Sequence, residues 1–105
     1  MIGDGQLPKT YALNQNYPNP FNPTTNIRYA LPVDSRITLE IFNVIGQRVR
    51  TLVNDNMAAG YHTMEWDGAS DAGSRLASGV YFLRLSATGV NGAKFSDVNK
   101  LVMMK

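Results

Sequence analysis

The feature that most narrows the folds open to this chain is a period-two alternation of apolar and polar residues. Turn signals interrupt it at intervals of about eight to fifteen residues. In residues 36–42, Ile37, Leu39 and Ile41 fall on one face. A strand sends successive side chains to opposite sides, whereas a helix would scatter these three around its surface. Residues 24–31 repeat the pattern, with Ile27, Tyr29 and Leu31 on one side and Arg28 on the other, and Pro32 ends the run. In residues 61–66 Met64 and Trp66 point inward, with His62 on the same side nearer the rim. Tyr81, Leu83 and Leu85 share a face of residues 79–88, and a last strand runs over residues 94–105. Many short alternating segments between turns define an all-β sandwich. The 105 residues suit one domain, and a chain of this size buries about two-thirds of its unfolded surface without covalent staples. It contains no cysteine, which removes a disulfide framework, thiol catalysis and Cys-rich zinc sites.

Two hairpins can be read from their turns. Asn43-Val44-Ile45-Gly46 suits a type I turn closed by a left-handed glycine. Pairing Asn43 with Gln47 sets Ile41 opposite Val49, Leu39 opposite Thr51, Ile37 opposite Val53, and Glu40 across from Arg50 on the outer face. In the second hairpin a two-residue Asn91-Gly92 loop would set Lys100 opposite Leu83 on the buried side. A one-residue shift aligns Leu101 with Leu83 and Met103 with Tyr81, through a bulge or a three-residue loop. The shift is preferred because burying an unpaired lysine costs more than a bulge. It leaves Arg84 and Lys100 facing each other. Upstream, Tyr17-Pro18-Asn19-Pro20-Phe21-Asn22-Pro23 carries three prolines in six positions and reads as an extended or turned ribbon.

Catalytic chemistry is missing from the pattern, and the chain is not expected to be an enzyme. The one histidine, His62, lies mid-strand among aromatic neighbours and reads as a core-edge residue. Asp67, Ser70 and Asp71 offer oxygens to a cation, but their spacing departs from an EF-hand loop, and Asx-type turns account for them better. Glu40 and Glu65 give no sign of a convergent acid pair, and no P-loop, nucleophile elbow or zinc-binding His pair is present. No cofactor or metal site is indicated. The net charge is only +2 and the six arginines are scattered, so nucleic acid is not an expected partner. No apolar run approaches the ~18 residues of a membrane span, and membrane insertion is not expected. Residues 1–13, MIGDGQLPKTYAL, lack the apolar stretch of a signal peptide. Tyr11, Tyr17, Phe21, Phe42, Tyr61 and Phe82 supply aromatic surface, with no flat row of three to stack on sugars; Phe42 would lie across from Arg48, which would stack on its ring.

The run Leu13-Asn14-Gln15-Asn16-Tyr17-Pro18-Asn19-Pro20-Phe21-Asn22-Pro23-Thr24-Thr25-Asn26-Ile27-Arg28-Tyr29 resembles the opening of the type A C-terminal sorting domain of the type IX (Por) secretion system. Further similar pieces follow in order: Phe42-Asn43-Val44-Ile45-Gly46-Gln47-Arg48-Val49, Ala59-Gly60-Tyr61-His62, Trp66-Asp67-Gly68, Ser78-Gly79-Val80-Tyr81 and Lys100-Leu101-Val102-Met103-Met104-Lys105. The resemblance covers about residues 11–105. A shorter one, to the Ig-like domain of flagellar hook-capping proteins, rests on Trp66-Asp67-Gly68 and Gly79-Val80-Tyr81. The family often carries leucine, isoleucine or valine where this chain has Val102-Met103-Met104.

The resemblance implies an Ig-like antiparallel β-sandwich of about seven strands over residues 11–105, with residues 1–10 a linker from an upstream cargo module. It also implies an address label. A folded domain of this kind is read in the periplasm by an outer-membrane translocon, received at the surface by a shuttle protein, and commonly removed by a sortase-like peptidase. The cargo ends at the outer-membrane surface or in the extracellular space. The residues expected to be recognised are Pro18, Asn19, Pro20, Asn22 and Pro23, then Gly79, Val80 and Tyr81, then Lys100 and Lys105. A last strand with an open edge would suit capture by strand addition. Two other classes fit the same composition: a carbohydrate-binding β-sandwich module, and a structural Ig-like spacer of a secreted enzyme.

Overall fold

The computed structural model describes residues 7–104 as seven strands. They are β1 (Ala12–Leu13), β2 (Thr25–Leu31), β3 (Ser35–Phe42), β4 (Arg48–Met57), β5 (Gly60–Trp66), β6 (Gly79–Gly89) and β7 (Lys94–Met103). One sheet has the order β1-β2-β5 and the other β4-β3-β6-β7, and every ladder is antiparallel. The all-β, Ig-like sandwich is therefore the fold. Its core is the inward set that the alternation picks out: Ile27, Leu31, Ile37, Leu39, Ile41, Trp66, Leu83, Leu85 and Leu101 are wholly buried. Each contributes on the order of 1.5–3 kcal/mol by leaving water.

Both hairpins differ from the expected register, for related reasons. Gly46 closes the first turn as expected, at φ +85°, with its N–H on the Asn43 carbonyl. Beyond the turn, Ile41 lies opposite Arg50, Leu39 opposite Val53 and Ile37 opposite Asp55. Two irregularities intervene, between Leu39 and Glu40 and between Ile41 and Phe42, so Glu40 faces Thr51 instead of Arg50. The cause lies in β4. An unbroken ladder would turn Leu52 outward, and the bulge beside it lets Leu52 join the core. Bulges also twist an edge strand away from foreign strands, and β4 is an edge.

The second hairpin uses a three-residue loop, Val90-Asn91-Gly92. The Gly89 N–H reaches the Ala93 carbonyl, and Gly92 stands at φ +85°. The register shift therefore runs the other way from the expected one: Leu83 lies opposite Asn99, Tyr81 opposite Leu101 and Gly79 opposite Met103. Gly92 adopts the left-handed conformation that ends a type I turn in such loops, as Gly46 does in the first hairpin. Either direction of shift buries Leu101 and Met103. The observed one sets Arg84 opposite Val98 and Lys100 opposite Phe82, so two cations no longer face each other.

Candidate recognition site

The proline ribbon is not a loose lead-in to the sandwich. Its inner face is laid along the last strand. The Phe21 N–H donates to the Val102 carbonyl and the Met104 N–H to the Phe21 carbonyl, each at 2.9 Å. One ribbon residue thus acts as a piece of strand beside β7. The Val102 N–H donates to Asn19 Oδ1 at 3.0 Å, and Gln15 Nε2 donates to the Lys100 carbonyl at 2.9 Å. From β7, Asn99 Nδ2 donates back to the carbonyls of Leu13 and Asn14. Tyr17 exchanges backbone hydrogen bonds with Asn26, anchoring the ribbon's other side to β2. The expectation of an open terminal edge is corrected here: between Lys100 and Met104 the edge of β7 is occupied by the chain's own ribbon.

Side chains lock that arrangement. Asn16 is buried, its Nδ2 donating to Thr25 Oγ1 at 2.9 Å and to the Pro18 carbonyl at 3.2 Å. Thr25 Oγ1 donates to the same carbonyl at 2.8 Å. A buried amide left unpaired would cost about 1–3 kcal/mol, so this network fixes the path of the ribbon. Phe21 is buried with its ring 5.6 Å from Trp66, which meets Tyr81 edge-on at 5.8 Å. Tyr81 Oη donates to the Ala77 carbonyl at 2.6 Å, and Trp66 Nε1 donates to the Ala69 carbonyl at 3.0 Å. Burial pushes the Tyr81 hydroxyl above its ordinary pKa, as it does that of Tyr29, whose ring stacks on His62. Gly68 explains the Trp66-Asp67-Gly68 motif. It sits at φ +79°, and a Cβ there would stand 2.9 Å from Met103 Sδ and 3.3 Å from the Pro23 carbonyl.

The structure thus gathers the expected residues at one end of the sandwich and divides them. Phe21, Trp66 and Tyr81 are packing residues. Pro18, Pro20, Asn22 and Pro23 are exposed on the ribbon's outer face, Asn19 is exposed but turns its Oδ1 to the Val102 N–H, and Lys100 is exposed on β7. Gly79 and Val80 are half-buried at the start of β6, opposite Met103 and Val102. Lys105 lies outside the described residues. Asn16, Gln15 and Asn99, which tie the ribbon down, were not singled out by sequence reasoning. Amides in polar segments give no signal of their partners, which for Gln15 and Asn99 lie some 85 residues away.

The charged groups take structural roles. Glu40 is buried and accepts from Arg48 Nη1 at 3.2 Å and Arg84 Nη2 at 3.0 Å. It is Arg84, not Arg48, that lies over the Phe42 ring, 4.8 Å from its centroid. Arg50 turns to the loop after β5, donating to the carbonyls of Ala69 and Ser70 and lying 3.6 Å from Asp67 and 3.9 Å from Asp71. Asp67 caps the Ala69 N–H in an Asx turn, and Asp71 accepts from the Thr51 N–H. With a guanidinium among them, these carboxylates are poorly placed to hold a cation. Among the described residues no three His, Asp or Glu side chains are grouped as metal ligands, and no helix is long and apolar enough to cross a membrane. Tyr11 stacks on Phe95, Tyr17 and Tyr61 are exposed on different strands or turns, and the six rings form no common platform.

Two antiparallel sheets closed in this way define an Ig-like domain. The FlgD Ig-like domain family matches residues 21–90, and the chain belongs to that family. No curated protein sequence matches significantly. Among solved structures, dimeric latent PorU from Porphyromonas gingivalis superposes with a TM-score of 0.74 at 19% identity, over 98% of this chain. The chain spans only 10% of PorU's length. FlgD from Xanthomonas campestris, a protein of flagellar hook capping, gives 0.62 at 23% identity over 90% of this chain and 65% of its own. PorZ, a surface component of the type IX secretion system of P. gingivalis, gives 0.52 at 21% identity over 90% of this chain and 11% of PorZ. At these identities the likenesses establish the fold.

Proposed function

We propose that this domain is a sorting label that directs an attached cargo protein through the type IX secretion system to the cell surface. The observation that carries the reading is the juxtaposition of Phe21 and Met103. It lays the two segments most like the sorting-domain pattern, residues 17–23 and 100–104, side by side as one continuous surface. Pro18, Asn19, Pro20, Asn22, Pro23 and Lys100 line its exposed side, and a receptor would meet both segments at once. The occurrence of the same fold in PorZ, a surface component of that system, is in keeping with this role. In this reading the domain has no catalytic activity. It is handled by an outer-membrane translocon and a shuttle protein, and a sortase-like peptidase removes it at the surface.

Deleting residues 100–105 would test little, because Leu101 and Met103 are core residues and the deletion would unfold the sandwich. Asn22 and Lys100 are better targets: both are exposed, and among the described residues their side chains make no hydrogen bond or ion pair. Residues 11–105 are fused behind a reporter with an inner-membrane signal peptide, in a host with a type IX system. The unaltered fusion is expected at the surface, and the Asn22→Ala, Lys100→Ala variant, checked for folding, in the periplasm. Periplasmic retention of the unaltered, folded fusion would overturn the reading.

A further inference from the structure

Strand order rearranges charge in a way the linear chain conceals. On the face of the four-stranded sheet turned away from the core, the ladders set Arg48, Phe42, Phe82 and Lys100 in one row. Glu40, Arg84 and Val98 form the next, then Thr38, Ser86 and Ser96, then Arg36, Thr88 and Lys94. Five cations, half of the ten in the chain, therefore share one face. The single carboxylate in these rows, Glu40, is buried and already held by Arg48 and Arg84. Asp55 approaches Arg36 only at the rim, at 3.9 Å. A chain with a net charge of +2 thus presents a strongly positive surface on one side.

That surface is shaped as well as charged. A shallow depression of about 470 Å³ lies between Arg36 and Lys94, with Thr38, Ser86, Thr88 and Ser96 among its lining residues. None of these four hydroxyls hydrogen-bonds another side chain among the described residues, so all are free to serve a ligand. From Arg36 to Phe42 the strand runs about 20 Å, at ~3.4 Å per residue. Cations stand at both ends of that length, Arg84 stands between, and hydroxyls fill the interval.

We propose that the outer face of the four-stranded sheet binds an extended anionic polysaccharide. Charges separated by hydroxyls match a polymer whose carboxylates or sulfates are separated by hydroxyl-bearing sugar rings. A nucleic acid strand carries a phosphate every ~3.4 Å and is gripped through stacked bases. Here the Phe42 ring is capped by Arg84, which leaves no open aromatic row for bases. The proposal does not depend on the sorting role: the two surfaces share only Lys100, at their border, and binding is tested on the purified chain alone.

The test measures binding of polygalacturonate, neutral dextran and a single-stranded oligonucleotide of similar length at low ionic strength. The unaltered chain is expected to bind polygalacturonate and not dextran. Lys94→Glu with Lys100→Glu, both exposed, is expected to weaken binding about tenfold or more. Arg28→Glu with Arg75→Glu makes the same change in net charge away from this face and should weaken it less than about twofold. The charge-neutral pair Thr38→Val and Ser96→Ala should weaken it about threefold, with thermal unfolding confirming that every variant is folded. No binding by the unaltered chain, equal loss in the two charge-reversed pairs, indifference to the lost hydroxyls, or tighter binding of the oligonucleotide would each overturn the proposal.

Discussion

Two seams close this sandwich, and they are built from different materials. On one side the ribbon is stitched to β7 through backbone groups of Phe21, Val102 and Met104 and through the amides of Gln15, Asn19 and Asn99. Among the described residues no charged side chain takes part, and Phe21 and Asn16 are buried beneath it. On the other side Arg50 reaches from β4 to the loop after β5, where Asp67 and Asp71 lie more than half exposed. Backbone bonds support it, since the Asp71 N–H donates to the Val49 carbonyl. The contrast teaches where the fold's stability is concentrated. The buried Asn16 amide and the Phe21 ring resist salt, whereas exposed ion pairs are screened by it and contribute little on their own.

The sharpest way to break the comparison is Phe21→Ala. It empties a site against Trp66 and slackens the ribbon, and it should cost about 3–5 kcal/mol in urea unfolding at neutral pH. A loss near zero would mean that the ribbon is ornamental. Asn16→Ala comes next, at about 1–3 kcal/mol, because Thr25 and the Pro18 carbonyl lose a buried donor. Its penalty should be the same in low and high salt. At the opposite seam Arg50→Ala should cost only about 1 kcal/mol, and part of that should vanish in 1 M salt. If Arg50→Ala proved the costlier change, the ranking of the seams would be reversed.

A fourth prediction is smaller and appears only in alkali. Burial raises the hydroxyl pKa of Tyr29 and Tyr81 above the ordinary 10.0, so the folded state holds these protons more tightly than the unfolded state. The sign follows directly: their contribution is complete below pH 10 and is lost as pH rises through the folded values. Thermal unfolding followed from pH 8 to 11 should show a decline beginning near pH 10. Tyr29→Phe and Tyr81→Phe should each flatten it.

The fold was largely legible because β3 and β6 alternate without interruption, and a clean period of two admits one partition between core and solvent. β4 was harder to read. Leu52 is out of phase with Val49, Thr51 and Val53, and only a bulge accommodates it. The direction of the β6–β7 shift was likewise hidden, since both shifts bury Leu101 and Met103, and the choice lies in the conformation of Gly92. At the site, the motif residues announced themselves, but their division into packing and exposed members did not. Phe21 looks no different in sequence from a ring offered to a partner. The gathering of cations was invisible for another reason: Arg36 and Lys94 become neighbours only through the strand order.

The seam between Phe21 and Met104 also has a consequence in time. The two residues are 83 positions apart, and a contact that spans so much of the chain closes late, after the entropy of a long loop has been overcome. During synthesis the ribbon leaves the ribosome before the rest of the sandwich, and although Tyr17 can meet Asn26 at once, Phe21 has no backbone partner until β7 follows. A chain interrupted before that strand keeps a ribbon fastened on one side only and leaves β6 with β3 as its sole neighbour in the sheet. The fastened ribbon is therefore a structural receipt, written only when the last strand has been made.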